Sequence, residues 1–186
     1  MEAFSDGVIA ILITIMVLEL GVPQRTDIGA LAPLAPVLLS YVLSFLNLAI
    51  YWNNHHHLLQ AAHHVDGRIL WANMHLLFWL SLVPFTAAWM GEHGFAAIPT
   101  AAYGVVLLMS GVAFLLLVRA LIAHGDEHSA IADAIGQDAK GKISLVVYVL
   151  AIPIALVWPL VAFAIYIAVA LVWFVPDRRI ASRVGG

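Results

Sequence analysis

Residues 3–24 read AFSDGVIAILITIMVLELGVPQ. A helix over this stretch has a nearly unbroken apolar body, with Asp6 near one end and Glu19 near the other. At 1.5 Å of rise per residue the two carboxylates stand about 20 Å apart, so both can lie near the ends of a membrane crossing with neither at its midplane. The run follows Met1 almost directly, has no basic segment before it and contains Asp6. A cleavable signal peptide has a different pattern, and the stretch is expected to be a mature first span.

The remainder of the 186 residues has the same character: 63% are hydrophobic and 10% are charged, and the mean hydropathy is +1.00. Those values place the chain in the integral membrane class. The length accommodates several spans of about 20 residues and leaves no room for a soluble domain beside them. A single membrane domain, residues 1–186, is expected. Cysteine is absent, which excludes disulfides and thiolate metal sites. The net charge of −3 discriminates nothing.

Apolar runs long enough to cross cover about 4–22, 34–60, 69–91 and 97–123. The last run, 143–175, is too long for one ordinary span and contains Pro153 and Pro159. Proline fits the first turn of a helix, where its missing N–H is not needed. A split at Pro159 gives spans 143–157 and 159–175. The prediction is an all-α protein of six transmembrane helices with both termini on one side. Seven of the eight basic residues (Arg68, Arg119, Lys140, Lys142, Arg178, Arg179 and Arg183) then fall on the side of the N-terminus, against Arg25 opposite. By the positive-inside rule that side is cytoplasmic, and the chain is expected in the cell membrane. Residues 124–142 become a cytoplasmic loop and 176–186 a cytoplasmic tail. Within the loop, AIADAI has the pattern of a short surface helix, although a solvated connector explains it equally simply. Trp52, Trp71, Trp89 and Trp173 lie near span ends, as an aromatic belt requires. No second copy of the FSDG stretch occurs, so the chain is not an internally duplicated transporter.

On the first helix Ile11, Thr14, Ile15 and Leu18 follow the i, i+3, i+4, i+7 spacing and share one face. Spacing alone leaves that stripe free to face lipid, a neighbouring helix or an aqueous path. Asp6 adds a preference, because an acidic group at a membrane boundary usually meets a partner or water. A carboxylate solvated at a helix N-terminus is the simpler alternative.

Phe4-Ser5-Asp6, the small apolar residues after it, the Ile-Thr pair and Val17-Leu18-Glu19 together resemble the signature of the transmembrane protein 175 family of potassium channels. YWNNHHHLL, residues 51–59, matches the family more loosely, and six spans fit one copy of its repeat. The resemblance implies a potassium-preferring cation channel whose pore is lined by the first helix of each copy. One lining helix cannot enclose a hole, so the chain is expected to assemble with itself, as a homotetramer like the bacterial members. By position, Ile11 would form a hydrophobic constriction, Ile15 and Leu18 would continue the pore face, and the Thr14 hydroxyl would favour potassium. Glu19 would mark the outer mouth. An apolar ring gates by dewetting, and hydroxyl oxygens partly replace an ion's hydration shell. No TVGYG filter loop occurs. Trp52, Asn54, His55 and His56 are the implied polar braces of Phe4, Ser5 and Asp6. The family's arginine four residues before the phenylalanine has no counterpart here.

His55, His56 and His57, with His63 and His64 beyond, invite a metal reading. Consecutive histidines point in different directions round a helix, however, and no HExxH occurs. No metal and no cofactor are expected beyond permeant potassium. A histidine beside Asp6 would titrate in the physiological range, making proton sensitivity a secondary expectation. Asn73 and His75 are expected to find partners within the helix bundle. No catalytic triad, carboxylate pair or phosphate loop is evident, and nucleic-acid binding lacks a basic patch. The rival readings are a proton- or metal-coupled transporter or membrane enzyme centred on Asp6 and His55–His57, and a scaffold that only oligomerises.

Overall fold

The computed structural model of the chain describes residues 1–23, 26–60, 65–124 and 139–174. Arg25, His63, His64, the AIADAI stretch and the tail after Phe174 fall outside them. Among the described residues every regular element is helical: α1 (Glu2–Leu18), a 3₁₀ segment (Ile28–Leu34), α2 (Ala35–Gln60), α3 (Gly67–Ser81), α4 (Val83–Glu92), α5 (Ala97–His124), α6 (Ala139–Val157) and α7 (Pro159–Phe174). The all-α prediction holds.

Sequence punctuation accounts for the helix ends. Asp66 caps α3 by accepting from the Ile69 amide at 2.9 Å, which satisfies one of the orphan donors of a first turn. The third apolar run, read as one helix, is two. Pro84 has no N–H to offer the Leu80 carbonyl, and the chain tightens at Leu82, whose amide bonds Trp79 O at 3.2 Å. At the end of α4 the Phe95 amide reaches back to Met90 O at 2.9 Å, while Gly94 and Phe95 both adopt positive φ, 57° and 61°. Glycine does this without strain, but phenylalanine does not. Phe95 is buried with its ring 4.3 Å from that of Phe163, a contact that offsets the local cost.

The stretches Ile28–Gln60, Gly67–Glu92, Ala97–Ala123 and Lys140–Val157 are long and apolar enough to cross a membrane. α1 and α7, of 17 and 16 residues, are each about 25 Å long at 1.5 Å per residue. The surface is strongly apolar: Leu150, Leu156, Leu160, Leu171 and Phe174 are among the side chains exposed. The interior packs aliphatic side chains such as Leu48, Leu76, Leu107 and Leu117 and also holds Ser40, Ser44, Asn47, Thr86, Thr100 and Ser110. Most of these hydroxyls donate to a carbonyl three or four residues earlier, Ser40 to Val37, Thr86 to Leu82, Thr100 to Ala96 and Ser110 to Val106. Ser44 instead meets the Tyr103 hydroxyl at 2.9 Å, across α2 and α5. In an apolar solvent, close packing and internal hydrogen bonds hold helices together.

Packing is closest at glycines. A Cβ on Gly91 of α4 would collide with Ser40 Oγ and lie 2.8 Å from Val37 Cα, and one on Gly104 would collide with the Tyr166 hydroxyl. Gly91→Val is expected to lower stability by about 1–3 kcal/mol, the usual cost of overpacking. Gly67, where a Cβ meets nothing within 4 Å, serves as the control. Thermal unfolding in detergent should show a lowered midpoint for Gly91→Val and little change for Gly67→Ala; equal midpoints would contradict the close α2–α4 approach.

Candidate functional site

α1 divides into two faces. Ser5, Ile9, Leu12 and Met16, at steps of four, three and four, are buried against α2, α3 and α4. The opposite face carries Phe4, Ile11, Thr14, Ile15 and Leu18, all exposed. Leu18 is 81% exposed and Ile11 57%. The stripe read from spacing is therefore the face that α1 turns away from its own chain. Thr14 Oγ1 donates to Ile11 O at 2.9 Å, so the hydroxyl proton is used within the helix and its lone pairs remain available. Glu19 is exposed just beyond the last turn of α1.

The buried face is fastened by a chain of side-chain hydrogen bonds. His55 Nε2 donates to Asn73 Oδ1 at 2.7 Å, Asn73 Nδ2 donates to Ser5 Oγ at 2.9 Å, and Ser5 Oγ donates to Met1 O at 3.2 Å. All three side chains are at most 1% exposed. The amide orientation fixes the histidine tautomer: Asn73 spends its N–H on Ser5, so its oxygen must receive the proton on Nε2. His55 Nδ1 is then a buried acceptor with no partner among the described residues.

A second set of contacts lies at the rim. Trp52 Nε1 donates to Asp6 Oδ1 at 2.9 Å. The His56 ring stacks on Trp52 with centroids 5.5 Å apart, and its Nδ1 is 3.1 Å from Glu2 Oε1. Gln60 approaches the other ring nitrogen at 2.9 Å. Trp52, His55 and His56 stand at i, i+3 and i+4, one face of α2, which is why one helix reaches Ser5, through Asn73, and Asp6 together.

Of the expected braces, Trp52, His55 and His56 converge on the first turns of α1 and Asn54 does not. Two residues on from Trp52, Asn54 points to the other side of α2 and lines a cavity with α5, α6 and α7. Phe4 is 57% exposed and shares the outer stripe. The three consecutive histidines diverge, His55 inward, His56 to Glu2 and His57 to solvent. His75 is occupied within its own helix by Trp79 Nε1 at 2.9 Å. Sequence reading missed Asn73 as the link between α1 and α2, and Glu2, whose i, i+4 spacing from Asp6 places both carboxylates on one face. Glu2, Asp6 and His56 bring one donor atom each within 4.8 Å of one another. Three half-exposed donors are one short of a closed structural zinc site.

The family model described as the endosomal/lysosomal potassium channel TMEM175 matches residues 1–84, which contain the whole network. A protein from Chryseobacterium sp. (strain P1-3), named a potassium channel, is 49% identical over 180 residues, 97% of this chain and 94% of that one. The chain belongs to the TMEM175 family. Another family relative, from Chamaesiphon minutus and also named a potassium channel, is 30% identical over 184 residues, 90% of each chain. The crystal structure of a lysosomal potassium-selective channel TMEM175 homolog from that organism matches this fold with a TM-score of 0.81 at 27% identity, covering 100% of this chain and 96% of that one. Family members of this kind are channels and not enzymes, and the fold is theirs.

Replacing Asn73 with Leu strands the His55 N–H and removes the donor to Ser5. Each polar group left unsatisfied costs about 1–3 kcal/mol, whereas Ser5→Ala strands a single Asn73 N–H and should cost less. The double variant is expected to fall short of the sum, since both substitutions break one network. Chemical unfolding should rank them in this order, and amide exchange over residues 2–9 should quicken in Asn73→Leu. Unchanged exchange there would show that the network does not hold α1.

Proposed function

We propose that the chain forms a potassium-preferring cation channel, a homotetramer in which α1 of each copy lines a central pore. The observation that carries this reading is the two-faced α1. Polar bonds clamp one side to α2 and α3, and the other side, apolar except for Thr14, is exposed among the described residues. One such helix cannot enclose a path, and four related by rotation can. The names of the family relatives support the permeant ion.

In this arrangement Ile11 forms the constriction, with Ile15 and Leu18 further along the same face. A ring of isoleucines excludes water when narrow and passes ions when widened. Potassium surrenders its hydration more readily than sodium, so four Thr14 hydroxyl oxygens favour it without a carbonyl cage, and the preference is modest. The chain lacks the TVGYG loop, leaving α1 to provide the selectivity. Glu2 and Asp6, repeated in each copy, raise the local cation concentration at the cytoplasmic mouth, and Glu19 does so at the outer one. Both termini are cytoplasmic in this reading, which the bias of basic residues supports, and the protein resides in the cell membrane. The channel needs no cofactor, and its partners are its own copies, membrane lipid and the permeant ion.

The bi-ionic reversal potential of the purified protein in a planar bilayer, potassium against sodium, tests conduction directly. The expected current reverses on the potassium-favouring side, and absence of current at every voltage would overturn the proposal. Ile11→Asn should raise the leak, because a polar ring stays wet; flux equal to wild type would exclude Ile11 as the constriction. Among the histidines, His56 is the one beside Glu2 and Asp6. Currents recorded across cytoplasmic pH in wild type and His56→Gln should differ, and identical responses would remove the histidine from gating.

A further inference from the structure

The same turn of α2 that fastens α1 has a second, unused side. Tyr51 and Asn54 each stand one residue before a brace, Trp52 and His55, and line a cavity enclosed by α2, α5, α6 and α7. The enclosed space is about 70 Å³, widening to about 640 Å³ when its open mouth is included. One water needs roughly 10–15 Å³ of the enclosed measure, so there is room for a ring-sized molecule.

The walls are chemically uniform. Phe114, Tyr51, Tyr148 and Trp173 supply aromatic surface, and no charged side chain lines the cavity. Tyr51 and Phe114 meet edge to face with centroids 6.0 Å apart. Trp173 Nε1 is already committed to Ser144 Oγ at 2.9 Å, and Ser144 donates to Lys140 O at 2.8 Å. The Tyr51 and Tyr148 hydroxyls, by contrast, make no hydrogen bond to a described residue and are not closed off by protein atoms, so both open onto the cavity they line. Two phenolic hydroxyls free to bond, set in an aromatic wall, suit a ligand that offers a hydroxyl beside a ring.

We infer that this cavity is a binding site for a small uncharged hydroxylated aromatic, its ring against Phe114 and Trp173 and its hydroxyl shared between Tyr51 and Tyr148. No charged side chain lines the cavity, so an ion desolvated there would touch no counter-charge; the Lys140 ammonium, outside the lining and 5.9 Å from the Trp173 ring centre, disfavours a cation further. A bound ring braces α2 from behind, so occupancy also alters the helix that positions α1. This effect on current rests on the channel reading; binding itself does not.

The test uses full-length purified protein in detergent with 4-bromophenol as the probe, whose bromine quenches a tryptophan it touches. Saturable quenching is expected, with loss of the saturable part in Trp173→Phe. Bromobenzene, which lacks the hydroxyl, should bind about tenfold more weakly, the worth of one or two hydrogen bonds. Tyr51→Phe/Tyr148→Phe should weaken 4-bromophenol by a similar factor while leaving the thermal midpoint unchanged or higher, because the hydroxyls it removes have no protein partner. Asn54→Trp, which fills part of the cavity that Asn54 lines, is a second variant expected to reduce binding. Quenching that never saturates, that is equal for the two compounds, or that survives the double tyrosine variant would overturn the site and leave ordered water as its content. Current recorded with and without the probe is read separately, so a non-conducting protein that still binds refutes only the channel.

Discussion

The hydrogen-bonded chain from His55 through Asn73 to Ser5 decides which way α1 faces, and the rest of the arrangement follows from it. A helix that is apolar on every side has no intrinsic reason to choose one face in an apolar solvent, since lipid tails satisfy leucine as well as leucine does. Three polar side chains change this. Each must find a partner or bear the cost of desolvation, and they find one another only when Ser5 points at α3. The stripe of Phe4, Ile11, Ile15 and Leu18 is thereby turned outward. Hydrophobicity brings α1 into the membrane, and the polar chain sets its rotation there.

The same logic applies across the bundle. Large aliphatic side chains lie both in the core, as Leu48, Leu76 and Leu117 do, and on the surface, as Leu150 and Leu160 do, so hydrophobicity alone does not separate inside from outside as it does in water, and the buried polar groups are the serines, threonines, asparagines and His55. Most interior hydroxyls are satisfied within their own helix, which leaves helix contacts to be set by shape, as at Gly91 and Gly104. Ser5, Asn73 and His55, like the Ser44–Tyr103 pair, are different because they have partners on other helices. They are therefore among the places where polar chemistry specifies how one helix sits against another.

How much of this was legible in the sequence depends on the range of the interaction. The helical class, the division of α1 into a stripe and its opposite, and the divergence of His55, His56 and His57 follow from helical periodicity, a local property. The role of Asn73 does not, because its partners lie 18 and 68 residues away and nothing in their spacing signals the meeting. Asn54 shows the limit from the other side. Grouped with its neighbours in sequence it looks like a brace, yet at 100° per residue it stands across the helix from Trp52. The break at Leu82 was visible as Pro84, but a proline near a helix start and one inside a long helix look alike until the hydrogen bonds are known.

α2 therefore has two jobs on two faces, and this restricts how the bundle can move. A rotation of α2 large enough to carry His55 away from Asn73 would strand two buried polar groups, His55 Nε2 and Asn73 Oδ1, at about 1–3 kcal/mol each, and would also withdraw Trp52 from Asp6. Translation along its axis by one helical turn carries the same cost. The first turn of α1 and the turn of α2 around residues 52–56 thus move as one body or not at all. A change at Ile11 has to come from side-chain rotation on the free face, from bending of α1 beyond its fastened first turns, or from displacement of the α1–α2 pair against α5 and α6, whose boundary with α2 is where the cavity lies.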